Sequence, residues 1–487
     1  MKSREVDATG NEPGGHGFGD KRVSRREFLK VVGIAGATVG VGAGLGGLVA
    51  ACGGGATTTT AGTSASITTA TTAAASTTTV SSGPEAGRVV KLGLVSPQTG
   101  MLADFSITDK WWVAHAETAV KDGLVCGDGK LHKIEIVVRN STSDSNRAAQ
   151  VAGDLINNDK IDMMMVSATA DTVNPVSDQC EALGMPCISN FHPWQSYFYG
   201  RGGTPDKPFK WTYAHSLGME DGVVDMIDMW GQVTTNKVVG LLWSNNTDGM
   251  AWANEETGMP PALKAAGFTG VQPSMYQPNT DDYTQQISEF KKAGCEIQFG
   301  VASGPDFSNF WKQCLQQGYR PKLAGTTKGL GQPKVLDSLG SVGIGLYCEV
   351  AWHPTFPFKD SLTGMTCQQL ADDYEQASGL QWAPMIGQYA KFEWAVDVLK
   401  RTKDLESKEA ILTAVVTTKT DTSYGPIDFT SPVKMGTSHP VLNVYKPPYC
   451  GGQWRKGTKH AFELFICSNA GGPMVPVQSK IEPMVYS

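Results

Sequence analysis

The sequence predicts an α/β fold of two doubly wound lobes, each a parallel sheet covered by helices. From Val89 onward, short apolar runs alternate with amphipathic stretches of helical spacing, and the alternation starts afresh near Asp221. Strands separated by helices of that length form parallel βαβ units with right-handed crossovers. Size agrees, since 487 residues suit two or three domains with ample core.

In the first series Val89–Val95 is a buried-strand run, and Trp111–Leu124 has helical spacing with Ala114, Ala116, Ala119 and Val120 toward one side. Ile134–Arg139 reads as a strand, Ser145–Asn157 as a helix capped from the Ser143-Asp144 region, and Ile161–Val166 as a strand. Asn174–Ala182 is a helix and Pro186–Ser189 a strand entering a loop. The second series has helices at Asp221–Trp230, from Met250, at Asp281–Ala293 and at Asp306–Gln317. Its strands are Lys237–Leu242, a stretch near Val271–Tyr276, Cys295–Val301 and one near Leu323. From about Leu336 come helices at Gln368–Ser378, Gln388–Arg401 and Lys408–Val416, then short β-like pieces with many turns. The expected lobes are 88–213 with 338–415, and 214–337 with 416–487.

Before this body lies a different texture. Residues 24–30, Ser-Arg-Arg-Glu-Phe-Leu-Lys, resemble a twin-arginine export signal, in which Arg25 and Arg26 are read by a translocase for folded proteins. Val49-Ala50-Ala51-Cys52 resembles a lipobox, with cleavage before Cys52 and lipid on the new N-terminus. Val31–Val49 is apolar and uncharged, but its seven glycines each cost about 1 kcal/mol against alanine in a helix. The stretch therefore reads as the h-region of a signal peptide over 1–51 rather than a membrane span. Gly42-Ala43-Gly44-Leu45-Gly46-Gly47 fits the dinucleotide pattern G-x-G-x-x-G, but that pattern works only between a strand and a helix. Residues 52–87 are mostly Gly, Ala, Ser and Thr and bury no core, which predicts a flexible tether. A chain of that length reaches roughly 30–35 Å. The expected location is the outer face of the cell membrane, held by the lipid on Cys52.

The segment 1–51 holds 7 of the 41 Lys and Arg but only 5 of the 47 Asp and Glu, so the remainder is more acidic than the whole chain's −6. That acidic excess, with no Lys/Arg block, argues against nucleic acid as a partner. Ten cysteines leave nine once Cys52 is lipidated, an odd number. Cys180 and Cys187 flank a helix-to-strand connection and are the candidate disulfide. Against it, folding in the reducing cytoplasm favours buried free thiols. There is no C-x-x-C and no metal-ligand spacing of histidines, so neither metal nor cofactor is expected.

Lys91-Leu92-Gly93-Leu94-Val95-Ser96-Pro97-Gln98-Thr99-Gly100 resembles the first strand and loop of the type I periplasmic binding proteins of the branched-chain amino acid transport family. Glu181-Ala182-Leu183-Gly184-Met185-Pro186-Cys187-Ile188-Ser189, Asn279-Thr280-Asp281-Asp282-Tyr283 and Gln316-Gln317-Gly318-Tyr319-Arg320-Pro321-Lys322 match further family segments in order and spacing. The resemblance covers roughly Val89 to Thr430. It implies lobes joined by three crossing strands, a small solute in the cleft between them, and an ABC permease and ATPase as partners. A monomer is expected. Cleft closure would report occupancy, and open parallel sheets leave such a crevice beyond their carboxyl ends.

By that resemblance, Ser167 and Thr169 offer hydroxyl and N–H groups to a ligand carboxylate, although capping by Asp171 or Thr172 would explain the same loop. Asn190, Phe191, His192 and Trp194 follow the next strand as an aromatic wall with His192 as polar reader, or as plain lobe packing. Asp248 sits in an Asn-Thr-Asp-Gly turn, and Ser303 ends the Cys295 strand. Lys328 stands where amino acid binders of the family often carry a Glu for the ligand ammonium. A cation there would attract a carboxylate, unless it points to solvent. No G-x-S-x-G, Walker loop or H-E-x-x-H occurs, so no catalytic residue is assigned and an enzyme is not expected. A solute sensor for a membrane receptor is the alternative to transport.

Overall fold

The structure, a computed structural model, describes residues 83–431 and 441–486. The calls on 1–51, including Arg25 and Arg26, on Cys52, and on the tether as far as 82 lie outside the described residues. Both α/β series are present. The first gives strands β1 (Val90–Ser96), β2 (Ile134–Asn140), β3 (Met163–Val166), β4 (Cys187–Asn190) and β5 (Thr212–His215). The second gives β6 (Val238–Trp243), β7 (Thr269–Val271), β8 (Ile297–Ala302), β9 (Leu323–Ala324) and β10 (Thr327–Lys328). Strand β11 (Tyr347–Val350) follows, then a helical return, then β12 (Val444–Tyr445), β13 (Cys450–Lys456) and β14 (Phe462–Ser468).

Two parallel sheets result. In the first, of order β12-β5-β4-β3-β1-β2, Leu94 lies between Val138 and Met165. In the second, β9-β8-β6-β7, β10 continues along the free edge of β8. Burial on both faces explains the continuous apolar runs. Along Met163-Met164-Met165-Val166 all four side chains are buried, Met163 and Met165 in one cluster and Met164 and Val166 in another. The period-2 pleat sends neighbours to opposite faces, so no position can be polar. Helix Ser145–Asn157 starts as the sequence predicts, with Asp144 accepting from the Arg147 N–H at 2.6 Å.

The return path differs from the expected boundaries. Tyr347–Val350 pairs antiparallel with Cys450–Lys456, and Tyr347, Cys467 and Ile481 pack with Val239 and Phe299 on the second lobe. Val444 instead pairs with Ala214 at the edge of the first sheet. The tail assigned as 416–487 is therefore split at the last crossing, and the return assigned to 338–415 belongs with the first lobe only beyond Val350. A two-residue edge strand such as β12 is placed by its partner β5 and carries no periodicity to read. The chain passes between lobes three times: between His215 and Met219, after Val350, and between Tyr445 and Cys450.

The candidate disulfide is also corrected. Cys180, on helix Ala170–Leu183, lies beside Cys187 at the start of β4, yet all nine cysteines of the described residues are free and buried. Burial, reinforced by the neighbouring thiol, pushes Cys180 well above the usual thiol range. A protonated thiol in an apolar layer is a poor nucleophile for bridge formation. Among the described residues no helix is long and apolar enough to cross a membrane.

Candidate functional site

The carboxyl ends of both sheets open onto one cavity enclosing about 660 Å³ of atom-free space, part of it open to solvent. From the first lobe, the chain leaving β3 reaches Thr169 with φ +66° and ψ 151° before entering helix Ala170–Leu183. Thr169 occupies the N-cap position but makes no side-chain cap bond. Its hydroxyl is buried in the cavity wall without a hydrogen-bond partner among the described residues. A buried unpaired hydroxyl costs about 1–3 kcal/mol, which a bound solute could recover. After β4, Phe191 takes φ +60° and stacks on Tyr424 at 4.8 Å. At the end of β10, Lys328 takes φ +69°. Of eight non-glycine residues with left-handed φ among the described residues, these three line the cavity. Such backbone conformations are costly and concentrate at functional sites.

The second lobe contributes helix Thr247–Trp252, whose Asn246 cap accepts from the Gly249 N–H at 2.9 Å. Asp248 and Trp252, four residues apart on one face, both reach the cavity. Lys328 Nζ lies 2.7 Å from Asp248 Oδ2 and 3.8 Å from Asp171 Oδ2, which comes from the opposite lobe. The Lys328 backbone N–H donates to Glu349 Oε1 at 2.8 Å. Glu349 sits on β11, and the hydroxyls of Tyr449 and Thr327 lie beside it and favour its charged form. Burial pushes the Glu349 carboxyl up to about 7, against the opposing pull of those donors. For Lys328 burial favours the neutral amine, but the carboxylates of Asp248, Asp171 and Glu349 overcome it and hold the ammonium above the usual lysine range. Asp171 is raised by burial, opposed by Lys328.

Of the residues singled out from sequence, Thr169, Phe191, His192, Asp248 and Lys328 line the cavity. The other four are spent elsewhere. Ser167 donates to Gln388 Oε1 at 2.8 Å and accepts from the buried Lys391 ammonium at 3.0 Å. Asn190 Nδ2 faces the carbonyls of Gly387 and Gln388 at 3.4 and 3.3 Å. Trp194 packs in the first lobe's core, with its indole N–H on Glu220. Ser303 caps helix Gly304–Gln316 through the Asp306 N–H. His192 reaches the wall but is no polar reader: Ser189 and Ser216 hydroxyls meet both ring nitrogens at 3.0 Å, and burial pulls the imidazole down to about 3. Sequence reasoning missed Phe105, Trp252, Glu349, Met385 and Tyr449. Glu349 carried a signal, as a lone carboxylate inside the apolar run Leu346-Tyr347-Cys348-Glu349-Val350.

The family profile described as periplasmic binding protein matches residues 89–445. The chain belongs to the periplasmic binding protein family. Its fold is the type I form of that family, and solved structures agree. A leucine binding protein from Thermotoga maritima MSB8 superposes with TM-score 0.60 at 14% identity, over 77% of this chain and 97% of that one. A branched-chain amino acid transporter substrate binding protein from Streptococcus pneumoniae, in complex with isoleucine, gives 0.60 at 14% identity, over 78% and 99%. A solute binding protein of an ABC transporter from R. palustris, in complex with 4-hydroxybenzoate, gives 0.61 at 16%, over 77% and 97%. At such identities the likeness speaks for the fold of this binding protein, while its cleft is specified by its own residues.

Proposed function

We propose that this binding protein is the solute-capturing component of an ABC importer, exported through its twin-arginine signal and held at the outer membrane face by lipid on Cys52. It delivers a small organic solute to a permease and ATPase as a monomer, and carries out no chemistry on it. The observation that supports the reading is the cavity itself, built from both lobes and from the crossing strands, so that closing the lobes encloses an occupant. The solute has an apolar or aromatic body, because Phe105, Phe191, Leu217, Met385 and Trp252 give the wall a large apolar share. Its polar head meets the unpaired Thr169 hydroxyl. Amino acids and aromatic carboxylates, the ligands of the structures above, are solutes of suitable size.

A thermal-shift screen over aromatic acids, amino acids, amides and dicarboxylates tests this. A solute at a thousand times its Kd stabilises by about 4 kcal/mol, a shift of several degrees. No shift with any class, or turnover of a bound solute, would defeat the reading. Export is tested by fractionation: Arg25→Lys with Arg26→Lys is expected to leave precursor in the cytoplasm, and Cys52→Ala to release unlipidated protein. Normal membrane recovery of both variants would refute export and anchoring.

A further inference from the structure

Lys328 was expected to recognise a ligand carboxylate, and its surroundings argue otherwise. Its ammonium already lies 2.7 Å from Asp248 and 3.8 Å from Asp171, and its own N–H binds Glu349. Its side chain is only 9% exposed, and that of Asp248 7%. An incoming carboxylate would join three acids that share one base. The reverse problem meets an amine. A cation is needed between Asp248 and Asp171, because a buried carboxylate and a half-buried one facing each other repel unless a cation lies between them. One cation fits between them and a second would be repelled at contact distance. The lysine is also hard to dislodge, since its backbone is fixed by the Glu349 bond and by the turn at φ +69°.

We infer that Lys328 is a specificity-determining residue: a tethered ammonium that occupies the cationic position of the cleft and keeps amine-bearing solutes out. The inference rests on the solute-binding reading and narrows its solute class. The captured molecule bears no ammonium, is uncharged where it meets the Lys328 end, and presents its apolar or aromatic body to the Phe191 wall. The same contact ties the lobes together, because Asp171 belongs to the first and Lys328 with Asp248 to the second.

Chemical rescue tests the cationic position without any knowledge of the solute. Lys328→Ala leaves Asp171 and Asp248 without their cation and opens space for n-propylammonium. Melting in n-propylammonium chloride, against potassium chloride of equal ionic strength, is expected to raise the variant's Tm by about 4 °C and to leave the wild type unmoved. Lys328→Ala combined with Asp248→Asn is expected to lose the effect. A variant that folds only in n-propylammonium is the same positive result. Equal shifts in variant and wild type, or failure to fold in both salts, overturn the inference. Specificity is read by titration calorimetry with L-phenylalanine against 3-phenylpropionate and L-isoleucine against 3-methylpentanoate. Lys328→Ala is expected to move the preference at least tenfold toward the ammonium-bearing member of a pair. Tighter binding of that member by the wild type overturns the inference. If the wild type binds neither pair, rescue alone decides, and the importer reading is judged by the wider screen.

Discussion

The Thr169 hydroxyl has no partner among the described residues, while its strained backbone is held by its N–H on the Phe191 carbonyl at 3.1 Å and by its own carbonyl, which accepts the first bonds of helix Ala170–Leu183. Thr169→Val keeps shape and β-branching while deleting the hydroxyl. It is expected to leave the free protein as stable as the wild type or more so by about 1 kcal/mol, and to weaken solute binding about tenfold. Unchanged affinity by calorimetry would remove Thr169 from the site. The loops carrying Thr169, Phe191, His192, Asp248 and Lys328 were legible in the sequence, because each follows a recognisable strand. Their bonding was not. Ser167 and Asn190 sit in the right loops, but Gln388 and Lys391, more than 190 residues away, claim the Ser167 hydroxyl, and the Gln388 carbonyl takes the Asn190 amide N–H. Partners that distant in sequence leave no local pattern.

At the scale of elements, the helix Met219–Gly231 shows how a buried charge can fasten two segments. Asp225 accepts from Ser468 Oγ at 2.9 Å and from the Gly471 N–H at 3.2 Å, which ties the helix to the end of β14. Burial pushes its carboxyl up to about 8, against those two donors. The native state thus keeps a proton that the unfolded chain, with an ordinary carboxyl near 3.8, gives up. Stability is therefore lost as pH rises from about 4 to about 8, and the loss is complete above that. Asp225→Asn keeps an acceptor for both donors without the charge. Its Tm is expected to match the wild type at pH 4 and to exceed it at pH 8, with a gain bounded at roughly 5 kcal/mol. Equal Tm values at pH 8 would place the titration elsewhere. Most strands and helices were legible because buried parallel strands must be apolar throughout. The two-residue β12 was not, since its position depends on a pairing with Ala214 and His215.

For the molecule as a whole, side-chain contacts tie the lobes together in addition to the crossing strands, among them Lys334 Nζ on Asp104 Oδ1 at 3.3 Å. Asp171 reaches Lys328, and Ser196 Oγ donates to Asp248 Oδ1 at 3.3 Å. Asp171 remains one-third exposed, so solvent screens its attraction and the pair holds the lobes only weakly. Small-angle scattering is expected to show a smaller radius of gyration when solute saturates the wild type, and a larger one for unliganded Asp171→Asn. An unchanged radius in both comparisons would mean that the lobes do not move.

The interleaved path through the lobes also bears on how the chain is made. The edge strand of the first sheet comes from Val444–Tyr445, and the second lobe is completed only by Cys450–Lys456 and Phe462–Ser468. Neither half can finish before residues beyond Val444 have been made, because each lobe is completed by strands from that stretch. Long-range pairings of this kind form slowly and leave apolar strands uncovered in the interim. A secretion route that threads unfolded polypeptide would release those strands before their partners exist on the same side. A route that waits for the finished shape spares the chain that exposure.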